Sequence, residues 1–96
     1  MANLYRSNGV VEIVTPKNGK AWTLKELQDL VDGYVEFLPS IKPKIVVNED
    51  GLLRGLPYNE KATQLYIQLC SSKELWYIPR LVGDIVALTP GEKIKG

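Results

Sequence analysis

The stretch from Pro43 to Thr63 constrains the fold of this chain more than any other. A β-branched run, Ile45-Val46-Val47, meets a polar turn, Asn48-Glu49-Asp50-Gly51. A short apolar pair, Leu52-Leu53, follows, then Gly55 and Pro57, then a helix start at Asn59. Turn residues bounded by strand formers predict a hairpin, with residues 52–55 as the returning strand and Gly51 at a positive φ. A residue before proline avoids the helical region, so Leu56-Pro57-Tyr58 reads as extended. Asn59 caps the second helix, and Glu60 suits the positive end of its dipole. Ala62, Leu65, Tyr66 and Leu69 recur at helical spacing as a core-facing stripe, and Ser71-Ser72 ends the helix.

The flanking segments complete the pattern. Residues 1–8 are polar and small, and are expected to fray. Asn8-Gly9 marks a tight turn, and Val10 to Thr15 forms a first strand with apolar residues on both faces. Pro16 to Gly19 is a turn. Thr23-Leu24-Lys25-Glu26 is a capping box, with Trp22 before it stapled onto Leu27. Leu24, Leu27, Leu30 and Val31 form one helical face, and Gly33 closes the helix in the left-handed conformation. Tyr34 to Leu38 is a strand, with Val35 and Phe37 on one side and Tyr34, Glu36 and Leu38 on the other. Residues 73–80 read as a short edge strand or a turn, because Pro79 bars a central one. Leu81 to Leu88 is the last strand, with Gly83 at a bulge or beneath a packed side chain. Residues 89–96 are a polar tail. The expectation is an α+β fold: a small, mostly antiparallel sheet of four to five strands with two helices, in the order β-α-β-β-β-α-β. It forms one domain over residues 1–96, with an ordered core at about 9–89, flexible ends at 1–8 and 90–96, and at least one sheet face open.

Composition narrows the chemistry. Twelve basic and 11 acidic residues give a net charge of +1, which argues against a broad duplex-nucleic-acid footprint. Cys70 is the only cysteine and there is no histidine. No intramolecular disulfide, His-based triad or zinc-type metal site is therefore expected, and no cofactor. Cys70 reads as a small buried hydrophobe. The Asn48–Gly51 turn lacks the spaced oxygen ligands of a calcium loop. The absence of a signal segment or a long apolar run leads to the expectation of a soluble, cytoplasmic protein.

Four pieces together resemble a known family. They are Leu30-Val31-Asp32-Gly33-Tyr34-Val35-Glu36, then Val47 to Gly51, then Leu56-Pro57-Tyr58-Asn59 with Ala62-Thr63, and finally Val82-Gly83-Asp84-Ile85-Val86. The chain is similar over Val10 to Leu88 to a small domain of unknown function carried largely by bacteriophages, plasmids and other mobile elements. The family pattern often has glycine where this chain has Asp32. The resemblance implies an accessory protein of a mobile element and brings no reaction, cofactor or catalytic residue.

Two functions are expected ahead of catalysis. The first is a counter-defence module, within the host cell, that sequesters a nucleotide-derived signal. Its parts would be the Asn59 helix terminus, Arg54 for bidentate phosphate contact, Lys61, and Tyr58 for a base, with Tyr34 and Asn48 completing the pocket. The bland alternative is that Arg54 is solvated, Tyr58 packs over the turn and Asn59 merely caps. The second is a protein-binding inhibitor of a host defence enzyme, of the anti-restriction or anti-CRISPR type. It would use a patch of Trp76, Tyr77 and Arg80, residue types that dominate binding hot spots. Either could be a homo-oligomer, and neither engages a membrane. Glu49 and Asp50 are adjacent carboxylates, but neighbours in a turn rarely converge on one substrate, and no oriented nucleophile and base is visible. The chain is therefore read as not an enzyme.

Overall fold

The computed structural model describes residues 1–38, 44–69, 80–89 and 92–95. The expected α+β class stands: two helices and a five-stranded antiparallel sheet. The strands are β1 (Ala2–Tyr5), β2 (Val11–Val14), β3 (Ala21–Thr23), β4 (Val35–Leu38), β5 (Ile45–Asn48), β6 (Ile85–Ala87) and β7 (Lys93–Lys95). The helices are α1 (Leu24–Val31) and α2 (Glu60–Leu69). The main sheet runs β2-β1-β6-β5-β4, and β3 pairs with β7 in parallel as a separate ribbon. Among the described residues no helix is long and apolar enough to cross a membrane.

Alternation along the strands divides the core in two. Ala2, Leu4, Val46 and Val86 face α1 and pack with Trp22, Leu27 and Val31. Ile45, Val47, Ile85 and Ala87 face the other way and pack with Ala62 and Tyr66 of α2 and with Leu81. The helices thus cover opposite faces of the central strands. Among the described residues openness lies at the two sheet edges, β2 and β4, rather than across a whole face as expected.

The amino-terminal segment corrects one expectation. Residues 2–5 do not fray. They form β1, which pairs with β2 on one side and β6 on the other. Ala2 and Leu4 alternate inward, and Leu4 is 1% exposed. Two apolar residues at strand spacing suffice here because both neighbours supply ladder hydrogen bonds. The strand expected at 10–15 exists as β2, but it is an edge strand, with Val11 and Ile13 exposed rather than covered.

The stretch after β5 corrects another. Residues 52–55 do not return as a strand. The chain instead coils through consecutive turns, with Arg54 N–H donating to Asp50 O, Gly55 N–H to Leu52 O and Leu56 N–H to Gly51 O. Leu52 and Leu53 both stay exposed, Leu53 at 91%. Positive φ falls at Gly55, not at Gly51. β5 takes its partners from distant segments, β4 and β6.

At the end of α1 the left-handed residue is Asp32, with φ 61, rather than Gly33. The last strand is shorter than expected. Its Leu81–Asp84 portion contributes only an isolated bridge, Tyr58 to Val82, before β6 begins. Gly83 does sit beneath a packed side chain, since a Cβ there would lie 2.8 Å from Leu56 Cδ1. The tail is also ordered in part. Thr89 hydroxyl and amide both donate to Glu92, and Lys93–Lys95 adds to β3. The capping box at Thr23 and Glu26 is present as read, and Trp22 is buried beside Leu27. Cys70, the expected helix end at Ser71-Ser72 and most of the 73–80 segment lie outside the described residues.

Candidate functional site

The residues expected to form one nucleotide pocket are sorted into three settings. The first is the carboxyl end of α1. A helix leaves its last carbonyls without partners, and here β5 and the following turn supply them. Asn48, 5% exposed, donates its amide to Val31 O and Asp32 O, both at 3.0 Å, and accepts from Asp50 N–H at 2.8 Å. Arg54 donates to Asp32 O at 2.6 Å and pairs with the Asp32 carboxylate at 3.2 Å. Gly33 lies against both: a Cβ there would sit 2.7 Å from Asn48 Nδ2 and 3.3 Å from Arg54 Nη1. Asn48 and Arg54 therefore hold the α1 exit to β5. Tyr34 follows this knot and is exposed.

The second setting is the start of α2. Asn59 is buried, with its amide donating to Tyr5 O at 2.7 Å and Gly83 O at 2.8 Å while its Oδ1 caps Ala62 N–H. It joins β1, α2 and the approach to β6, and both faces of its amide group are taken. Lys61 donates to Gly9 O at 2.7 Å and does not line the cleft beside β4.

The third setting is a cleft of about 230 Å³ between β4, the turn after β5 and the Arg80–Val82 segment. Leu38, Val47, Leu81 and Val82 give it an apolar floor, Leu52 stands at its side, and Asn48 of the first setting lines it too. Glu36 and Glu49 line it, and neither has an ion pair or side-chain hydrogen bond among the described residues. Arg80 also lines the cleft, with its guanidinium carbon 5.3 Å from the centre of the Tyr58 ring, a cation–π contact. Arg80 and Tyr58 were expected in different sites and are brought together. Trp76 and Tyr77 lie outside the described residues.

The strand register explains which residues line this cleft. Glu36 pairs opposite Val47 and Leu38 opposite Ile45, so both stand on the α2 side of the sheet. Val35 and Phe37 point to the α1 side, where Val35 packs against the core and Phe37 is exposed. Alternation in the sequence placed Glu36 and Leu38 on one face of the strand. Nothing local announced that Glu49 and Arg80 would face the same cleft.

A second ionic centre lies far from this cleft. Burial pushes the Glu92 carboxyl up, but hydrogen bonds from the Thr89 hydroxyl and amide, the Trp22 indole and the terminal amine outweigh it, leaving the pKa below the ordinary value. Glu26 is also held low, chiefly by the Lys17 amide and then by the Thr23 amide and hydroxyl. Both centres fasten structure: Glu92 secures the β3–β7 ribbon and Glu26 the start of α1.

No curated protein and no solved structure matches the chain. The model of a family described as a domain of unknown function, DUF3846, matches residues 6–93, and the chain belongs to that family.

Proposed function

We propose that this chain is a non-catalytic accessory protein of a mobile element that acts by docking a protein partner, as an inhibitor of a host defence enzyme would. The mobile-element setting comes from the resemblance of the four sequence pieces. The docking reading rests on one observation: exposed Leu52 stands at the side of a cleft with an apolar floor, and its neighbour Leu53 is 91% exposed. Exposed Phe37 lies on the opposite, α1 side of the sheet and exposed Tyr34 beside the end of α1, so the apolar surface at the cleft is that of Leu52 and the floor residues. Exposed aliphatic side chains beside an apolar cleft suit an interaction surface.

The nucleotide-sequestering reading has less support. Arg54 donates to the Asp32 carbonyl and pairs with its carboxylate, and Lys61 donates to the Gly9 carbonyl, so neither is turned to a shared pocket. The cleft carries two carboxylates, which repel a polyphosphate.

Site-specific photo-crosslinking tests the reading. A photoreactive residue at Leu53, in protein produced in a bacterial host, is expected to give a discrete adduct that Leu52→Asp abolishes. The same group at the exposed Lys20 serves as the control. Diffuse or absent adducts at position 53 would sink the docking reading. A melting-temperature rise of several degrees with a cyclic oligonucleotide or a cyclic ADP-ribose isomer, lost in Arg54→Ala, would restore the nucleotide one.

A further inference from the structure

We infer that the outer edge of β4 is a docking rail for an extended partner segment that alternates basic and apolar residues, and that it binds by adding a strand to the sheet. This inference rests on the protein-docking reading. Among the described residues β4 has a strand neighbour on one side only, β5.

The hydrogen-bond phase identifies which groups are free. Glu49 N–H donates to Tyr34 O, so Tyr34 and Glu49 form a hydrogen-bonded pair. Such pairs alternate along an antiparallel ladder. Glu36 with Val47 and Leu38 with Ile45 are therefore bonded across to β5, whereas Val35 and Phe37 direct their N–H and C=O groups outward. An incoming strand would bond to those two residues.

The side chains along the rail set the chemistry of the partner. On the α2 side the incoming strand meets Glu36 and Leu38, with Glu49 behind them in the cleft. Both carboxylates lack a cationic partner among the described residues. Lys or Arg on that face would complete the pairing, and an aliphatic residue would cover Leu38 and the cleft floor. On the α1 side the strand meets the exposed ring of Phe37, which favours a β-branched or aromatic neighbour. Among the described residues Arg80 is the one cation lining the cleft, and it is already stacked on Tyr58. The opposite edge, β2, offers a different surface: exposed Val11 and Ile13, with Glu12 already paired to Arg6. Charge complementarity thus selects β4 for a basic strand.

The test is selection from a displayed library of random peptides on the intact protein, followed by resynthesis of the enriched sequences. Enriched peptides are expected to alternate Lys or Arg with Val, Ile, Phe or Tyr. They are expected to protect the Val35 and Phe37 amides from hydrogen exchange. The Glu36→Lys, Glu49→Lys double variant should bind them at least about tenfold more weakly, through like-charge repulsion. Phe37→Pro removes an outward N–H without breaking a bond to β5, and should weaken binding similarly. Thermal unfolding of both variants checks that they fold, and the charge variant suffices if Phe37→Pro does not. Binders that tolerate these changes would overturn the β4 assignment and leave the docking reading standing. Enrichment of no peptide at all would overturn both. Wild-type protein that sediments as a dimer, and as a monomer after Phe37→Pro, would assign the edge to a second copy and overturn the basic partner.

Discussion

Two buried asparagines govern how the elements meet. Asn48 and Asn59 each donate to two backbone carbonyls and accept one backbone N–H, so each amide is nearly saturated. A side-chain amide in this position acts as a strut between chain segments that share no ladder. Truncation of Asn59 is more costly than the loss of a cap alone. Asn59→Ala removes the side-chain donor to the Tyr5 and Gly83 carbonyls and the cap on Ala62 N–H, an expected loss of about 3 kcal/mol. Urea unfolding should show it as a lower midpoint at an unchanged slope. A change within error would mean that water replaces both bonds and that the strut is not needed. The cap was legible in the sequence, because Asn before a helical stripe carries its own signature. The strut was not, since Tyr5 and Gly83 lie 54 and 24 residues away. Arg54 illustrates the same limit: a lone cation beside glycine and proline reads as free, and only the fold brings Asp32 to it.

At the scale of elements, local devices were readable and pairings were not. The capping box of α1 spans four consecutive residues and forms as read. Thr23→Ala is expected to cost about 1 kcal/mol, measured as a drop in melting temperature, because the Glu26 amide loses its acceptor. Strand β7 could not be read, because a polar segment with one isoleucine acquires strand character only through pairing with β3. Its anchor, Glu92, makes the ribbon sensitive to acid. A carboxylate whose folded pKa is depressed stabilises the fold above its unfolded pKa, and that contribution is lost as pH falls through the folded value. The indole N–H signal of Trp22, bonded to Glu92 at 2.8 Å, should therefore shift on acidification below the ordinary carboxylate range. In Glu92→Gln that titration should vanish and the neutral-pH melting temperature should fall. A Trp22 titration that persists unchanged in the variant would show that another group controls the ribbon.

For the whole molecule, the class of fold followed from pattern while the strand order did not. Alternation along 35–38 and the helical stripe from Ala62 to Tyr66 identified which faces turn inward. They cannot state that the sheet runs β2-β1-β6-β5-β4, because order depends on contacts between segments far apart in sequence. The largest consequence concerns the segment that composition marked as frayed. β1 stands between β2 and β6, so it carries hydrogen bonds on both sides and sends Ala2 and Leu4 into the core. Two outcomes of removing residues 1–8 are thus sharply opposed. A frayed end would leave melting temperature and amide dispersion intact. A second-position strand, once removed, leaves β2 with no partner and exposes the β6 edge together with part of the α1 core. The truncated chain is expected to lose its dispersed amide spectrum and its cooperative transition. Leu4→Ala offers a graded version, because it keeps the ladder and removes only core volume. Its expected cost is about 3 kcal/mol, the usual range for a fully buried leucine. If the truncation folds normally, β1 is not an integral strand. If the truncation unfolds and Leu4→Ala is merely weakened, the segment acts through both its ladder and its side chains, as its central place in the sheet requires.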